Sequence, residues 1–306
     1  MANTIALRRR IKSVKSTRQI TKAMELVSAS KMRRAQDAAL ASREFTKSAL
    51  EILSRLRQLT DVSKHPLYET RPVASKLYIV ITSDRGLAGA YNSNVLKTFA
   101  KQLKSDHESG IATKALLVGK QAATFASRIK DVEVLGVYTH MPEKPVTTDL
   151  TPILRTAKEQ FVGAPKIVSE DHDSDVEQSE PMLVDSVELI FTNFRSSLLQ
   201  EVTQQTLLPA AFTPVELTNS MSEAIFEPSP EKVLQVITER FIEIQLLQAY
   251  LESQASEQSA RMMAMKTASD NAAEIIDDLT LEANTARQSA ITQELAEITG
   301  GAEAIK

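Results

Sequence analysis

From Thr4 to about Thr60 apolar and polar residues recur at helical spacing, and neither glycine nor proline interrupts them. Leu7, Ile11 and Val14 follow steps of four and three, Ile20, Met24 and Val27 repeat them, and the stripe then thins to Ala35, Ala38 and Ala39. His65-Pro66 ends the run. A helix of this span is roughly 80–85 Å long at about 1.5 Å per residue. The other end of the chain mirrors it. Ser229-Pro230-Glu231 reads as a helix start, with serine as N-cap, proline at the first position and an acid in the first turn. From there a seam of Leu251, Ala255, Gln258, Met262, Met265, Ser269, Ala272, Ile276, Leu279, Ala283, Ala286 and Ala290 alternates steps of four and three. That period of about 3.5 residues marks a left-handed coiled coil. Its side chains are mostly small, so partner helices come close yet bury little. Gly300-Gly301 is expected to stop the helix, and Leu295 and Ile298 near its tip are expected to lack a cover within the chain.

Between the helices the pattern changes. Leu77–Thr82 is an apolar β run that ends at Ser83-Asp84-Arg85-Gly86. Further strands are predicted at 115–118, 132–138, 187–191 and 202–208, and helices at about 91–104, 120–129 and 150–161. Alternation of strand and helix predicts βαβ units and a sheet with parallel pairs. The expected fold is therefore α/β, with two long terminal helices forming an antiparallel coiled coil around an inserted α/β domain, a mixed sheet flanked by helices. The expected division is 1–62 for the first helix, 70–215 for the α/β domain with an acidic loop at 166–182, and 229–300 for the second helix.

Composition narrows the chemistry. The 306 residues include no Cys, which removes disulfides, thiolate catalysis and cysteine-ligated zinc. No run of 18 apolar residues is present, so direct membrane insertion is not expected. Charge is polarised: residues 1–34 hold ten bases and one acid, and residues 270–306 hold eight acids and two bases. The ends are either two solvated helix faces or two surfaces for partners of opposite sign. In the acidic loop, Asp171, Asp173 and Asp175 echo a calcium loop, but Val176 and Met182 stand where that loop needs Gly and Glu. Metal binding is not expected. Gly86-Leu87-Ala88-Gly89 follows a strand and precedes a helix, yet no Gly-Lys-Ser/Thr accompanies it, and the favoured reading is a tight packing turn. The four histidines share no motif, no nucleophile frame is present, and cofactors are expected to be none. Bases without interleaved aromatics, in a chain of pI about 5.9, argue against nucleic acid.

Three stretches carry a resemblance. Ile20–Arg33, Ser83–Asn92 and Ile291–Ala302 resemble, in order, the first axle helix, the turn after the first strand and the carboxyl-terminal signature of the gamma subunits of bacterial F-type ATP synthases. Arg261–Lys266 and Ala286-Arg287-Gln288 add to it. The resemblance implies a non-catalytic rotor shaft that couples rotation of a membrane c-ring to ATP synthesis or hydrolysis at beta subunits. It implies alpha and beta subunits of the catalytic hexamer, epsilon and the c-ring as partners, and a peripheral place on the cytoplasmic face of a bacterial cell membrane. It places Met24, Lys31, Arg33, Arg34, Arg261 and Gln288 at contacts with alpha and beta, and Arg85, Gly86 and Gly89 in a turn that marks the fold. The competing reading is a coiled-coil scaffold unrelated to ATP synthesis.

Overall fold

A computed structural model describes residues 2–62, 65–129, 132–163, 183–212, 215 and 224–304. The acidic loop at 166–182 lies outside them. The elements are α1 (Ala2–Leu59), β1 (Ser75–Ile81), α2 (Tyr91–Glu108), β2 (Ala112–Val118), α3 (Lys120–Ala126), β3 (Glu133–Tyr138), α4 (Thr147–Val162), β4 (Ser186–Phe194), β5 (Gln200–Leu208) and α5 (Pro230–Ala304). A short 3-10 turn, Pro66–Tyr68, precedes β1. The chain divides into two compact units, Lys31–Ala260 and Met1–Ser30 with Arg261–Lys306.

In the first of these units the sheet order is β3-β2-β1-β4-β5. β1, β2, β3 and β4 run parallel, and β5 pairs antiparallel with β4 from Val187↔Leu208 to Phe194↔Gln200. The almost unbroken apolar run of β1 follows from burial of both its faces. One face sends Leu77, Ile79 and Ile81 into a core with Ile153 and Phe161 of α4 and Ile242 and Leu246 of α5. The other sends Tyr78 and Val80 against Val95 and Phe99 of α2 and Ala122 of α3. A third cluster joins Ala49, Leu53 and Leu56 of α1 to Leu234 and Phe241 of α5. The two helices run antiparallel here. Arg43 donates to Glu252 Oε1 at 3.0 Å and Thr46 Oγ1 donates to Gln248 Oε1 at 3.0 Å, so one number rises as the other falls. α5 starts as expected: Lys232 N–H reaches Ser229 Oγ at 3.4 Å and Pro230 is the first helical residue.

In the other unit α1 buries Leu7, Thr21 and Ser28, and α5 buries Arg261, Met265, Ser269, Ala272, Ile276 and Leu279. The seam on α5 thus follows the expected steps. The stripe on α1 does not. Ile20 is 59% exposed and Val27 55%, because the phase set by Leu7 and Val14 continues at steps of seven to Thr21 and Ser28. The expected helix stop is also corrected. α5 runs through Gly300-Gly301 to Ala304. Gly300 does not take the left-handed backbone that closes a helix, and a helical glycine costs only about 1 kcal/mol.

Candidate functional site

The turn after β1 is built by its own polar side chains. Ser83 N–H donates to Asn92 Oδ1 at 3.0 Å, and Ser83 Oγ donates to the Arg85 carbonyl at 2.6 Å. Leu87 and Gly89 both have left-handed backbones, with φ of 62° and 54°, so glycine has a conformational reason at 89. Gly86 has no such φ, and a Cβ there would meet nothing within 4 Å. Asp84 sits where an anion would be held. Its Oδ1 accepts from Lys120 N at 3.1 Å, at the start of α3, and its Oδ2 accepts from His140 N at 2.8 Å. The chain's own carboxylate therefore takes the amides that a phosphate would need. Next to it Gly119 is tightly confined: φ is 95°, and a Cβ would lie 2.3 Å from the Thr82 carbonyl oxygen. The arrangement fastens three loops at the carboxyl end of the parallel strands.

Lys31 and Arg34, on α1, both meet Glu143 in the loop after β3, Lys31 by a short hydrogen bond and Arg34 at 3.8 Å. Gln254 of α5 donates to the Glu143 carbonyl at 3.3 Å. The Lys31 ammonium first, then Arg34 and Arg85, hold the Glu143 carboxyl below its usual range. Lys31, Arg34, Glu143 and Gln254 border a cleft of about 340 Å³ with Ala35, Leu251 and Gln258. Arg33 is exposed. In the other unit Met24 is half-buried, Arg261 is 7% exposed and Gln288 is exposed. The structure thus brings Lys31 and Arg34 together around an acid that sequence reasoning missed. The acid is 112 residues from Lys31 along the chain, and no local motif marks it. Ile20 and Val27 were also missed as surface residues, since their spacing reads as core.

Comparison with known proteins decides the family. Residues 3–305 match the family described as ATP synthase. The ATP synthase gamma chain of Acidithiobacillus ferrooxidans is 37% identical over 100% of both chains. That of Herpetosiphon aurantiacus is 40% identical over 100% of this chain and 99% of the relative. The chain belongs to the ATP synthase gamma family. The reading as an unrelated coiled-coil scaffold is thereby set aside. Among solved structures, a chain of the Euglena gracilis mitochondrial ATP synthase aligns with a TM-score of 0.65 at 17% identity, covering 99% of this chain and 95% of its own. A chain of the central stalk and c-ring structure of the Tetrahymena thermophila mitochondrial ATP synthase gives 0.58 at 24% identity, covering 82% of this chain and 99% of its own. These likenesses concern the fold: the gamma family's mixed sheet lies between an amino-terminal and a carboxyl-terminal long helix. No helix among the described residues is long and apolar enough to cross a membrane.

Proposed function

We propose that this gamma chain is the rotor of a proton-translocating F-type ATP synthase, coupling rotation of a membrane c-ring to ATP synthesis or hydrolysis at beta subunits while performing no chemical step itself. The observation that carries the reading is the end-to-end family match, from residue 3 to residue 305. The filled anion site at Asp84 supports a non-catalytic role. Helices 1–62 and 229–300 are the axle, and the 70–215 body, with its 166–182 loop, meets epsilon and the c-ring. Alpha and beta subunits enclose the axle at Met24, Lys31, Arg33, Arg34, Arg261 and Gln288. Lys31 and Arg34 reach a partner only by sharing or leaving Glu143, so Arg33 is the more available cation of the three. Ile291, Leu295 and Ile298, at 49%, 59% and 68% exposure, are an apolar tip that the hexamer covers. The chain then sits peripherally on the cytoplasmic face of a bacterial cell membrane. Arg85, Gly86 and Gly89 belong to the body and mark the fold.

The test is reconstitution. This chain, supplied to membranes and alpha and beta subunits that lack gamma, restores ATP-driven proton pumping. Absence of assembly with alpha and beta subunits defeats the proposal. Within the reconstituted complex, Met24→Lys lowers protons pumped per ATP while assembly survives; equal pumping removes Met24 from the contact set.

A further inference from the structure

Three serines on one row of α5 are buried against the α/β body: Ser253 is 1% exposed, and Ser256 and Ser259 are each 0%. Ser253 Oγ accepts from Thr192 N at 3.3 Å and shares a 3.0 Å hydrogen bond with the Tyr91 hydroxyl. Ser256 Oγ donates to the Thr192 carbonyl at 3.2 Å. Ser259 Oγ donates to the Ser197 carbonyl at 2.8 Å. Thr192 lies two residues past the last pairing of β4 with β1, Val80↔Ile190, and faces Val202 of β5 on its other side. The helix side chains thus take over backbone groups that β1 no longer reaches. Ser197 is itself held in the β4–β5 turn, where Leu199 N donates to Ser196 Oγ and Ser196 N donates to the Leu199 carbonyl, each at 3.0 Å.

Toward its start α5 meets the body mainly through apolar side chains such as Ile242 and Leu246. Thr238 there shares a 3.2 Å hydrogen bond with the Tyr68 hydroxyl and Glu239 accepts from Lys158 at 3.1 Å, but no bond there ties α5 to α1 among the described contacts. Apolar contact is non-directional and resists separation more than sliding. Hydrogen bonds fix both distance and angle. The same stretch of α5 is held by α1 through Arg43 to Glu252 and Thr46 to Gln248. Residues 248–259 are therefore the level at which α5 is bonded directionally to both neighbours.

We propose that the Ser253, Ser256 and Ser259 ladder is the torsional joint that stops α5 slipping or turning against the α/β body under load. This rests on the rotor function proposed above. Each buried hydrogen bond shifts the balance between seated and slipped states by about fivefold, so the four that the three serines make together favour the seated state by several hundredfold, a margin that torque works against.

The experiment uses the complete complex in inverted vesicles, with Ser253→Ala, Ser256→Ala and Ser259→Ala combined. ATP hydrolysis without a proton gradient should be unchanged, while protons pumped per ATP should fall severalfold as back-pressure rises. Val95→Ala, on α2 and fully buried on the far face of the sheet, loosens the body without touching α5 and should leave pumping per ATP intact. Because the chain has no cysteine, Ser197→Cys and Ser259→Cys can be bridged by a short bifunctional thiol reagent in a Ser253→Ala, Ser256→Ala background. Bridging should restore pumping under load. Wild-type pumping by the triple variant, an equal loss in the Val95→Ala variant or no recovery on bridging would each overturn the joint. If the triple variant does not assemble, Ser256→Ala alone should show the same load-dependent loss in smaller measure, and its absence would overturn the joint too. Failure of the wild-type chain to pump would instead unseat the rotor reading.

Discussion

Helix α5 has two contrasting stretches. Between Leu234 and Ala255 it sets Phe241, Ile242 and Leu246 in continuous cores and also buries Ile244 and Leu251. From Arg261 onward it buries Met265, Ser269, Ala272, Ile276 and Leu279, and no residue from 280 to 300 is buried. Both stretches are rich in good helix formers, so local propensity does not separate them. Burial does. A lone helix in water is marginal at best, so the first stretch is held by its own chain, and on the proposed rotor function the last turns are covered by the hexamer.

The largest effect that tests this contrast is in the base. Phe241→Ala opens a cavity between α1 and α5 and should cost about 3–5 kcal/mol in urea unfolding of the isolated chain. Leu295→Ala should change that value by less than about 0.5 kcal/mol, since its side chain is already 59% exposed. Comparable losses from both would mean that the tip is packed within the chain. Hydrogen exchange sharpens the same point: amides of 291–298 should exchange rapidly in the isolated chain and be protected in the assembled complex.

Glycines make the next comparison. Gly119→Ala forces a Cβ to 2.3 Å from the Thr82 carbonyl oxygen at a φ of 95° and should cost about 1–3 kcal/mol, read as a fall in the unfolding midpoint. Gly300→Ala meets nothing within 4 Å and should instead favour the helix locally by about 0.5–1 kcal/mol, seen as slower exchange around it. A destabilising Gly300→Ala would show that the tip needs glycine.

Much of this architecture was legible in the sequence because it is periodic. The strand alternation, the 3.5-residue seam from Met265 to Leu279 and the Ser229-Pro230 start all express local geometry. The phase of α1 was misread because Ile20 and Val27 are apolar whereas Thr21 and Ser28 are not, and apolarity stood in for burial. The Lys31–Glu143 contact and the serine ladder were illegible for another reason. Their partners are brought together by topology, and serine in a helix carries no sign of whether its hydroxyl meets water or a strand end.

Charged pairs give a smaller contrast. Glu252 has only 4% of its side chain exposed and accepts from Arg43 and Gln248. Glu252→Ala should cost about 1.5–3 kcal/mol, as expected for bonds to a charged group. Glu143 is 60% exposed, and Glu143→Gln should cost at most about 1 kcal/mol, an effect that high salt removes. Equal costs would mean that burial is not what separates the two sites.

The smallest expected effect is a pH dependence at the base. His65 caps the Pro66–Tyr68 turn, with Nδ1 accepting from Leu67 N at 3.3 Å, so that nitrogen must be unprotonated. Burial lowers the His65 pKa from 6.5; Glu239 opposes the shift and Lys158 adds to it. A base whose folded pKa is depressed binds its proton more readily when unfolded. Its contribution is therefore complete above about pH 6.5 and declines as the pH falls from there toward the folded value. Glu143 has the opposite chemistry but the same direction: a carboxyl held down by Lys31 keeps its contribution above its ordinary pKa of 4.5 and loses it only in more acid solution. The two windows are separate, so urea unfolding between pH 8 and pH 5 isolates the histidine. His65→Asn keeps a capping acceptor and removes the titration. It should flatten the decline below pH 6.5 while leaving stability at pH 8 nearly unchanged. A decline of the same slope in the His65→Asn variant would assign the pH dependence to other groups.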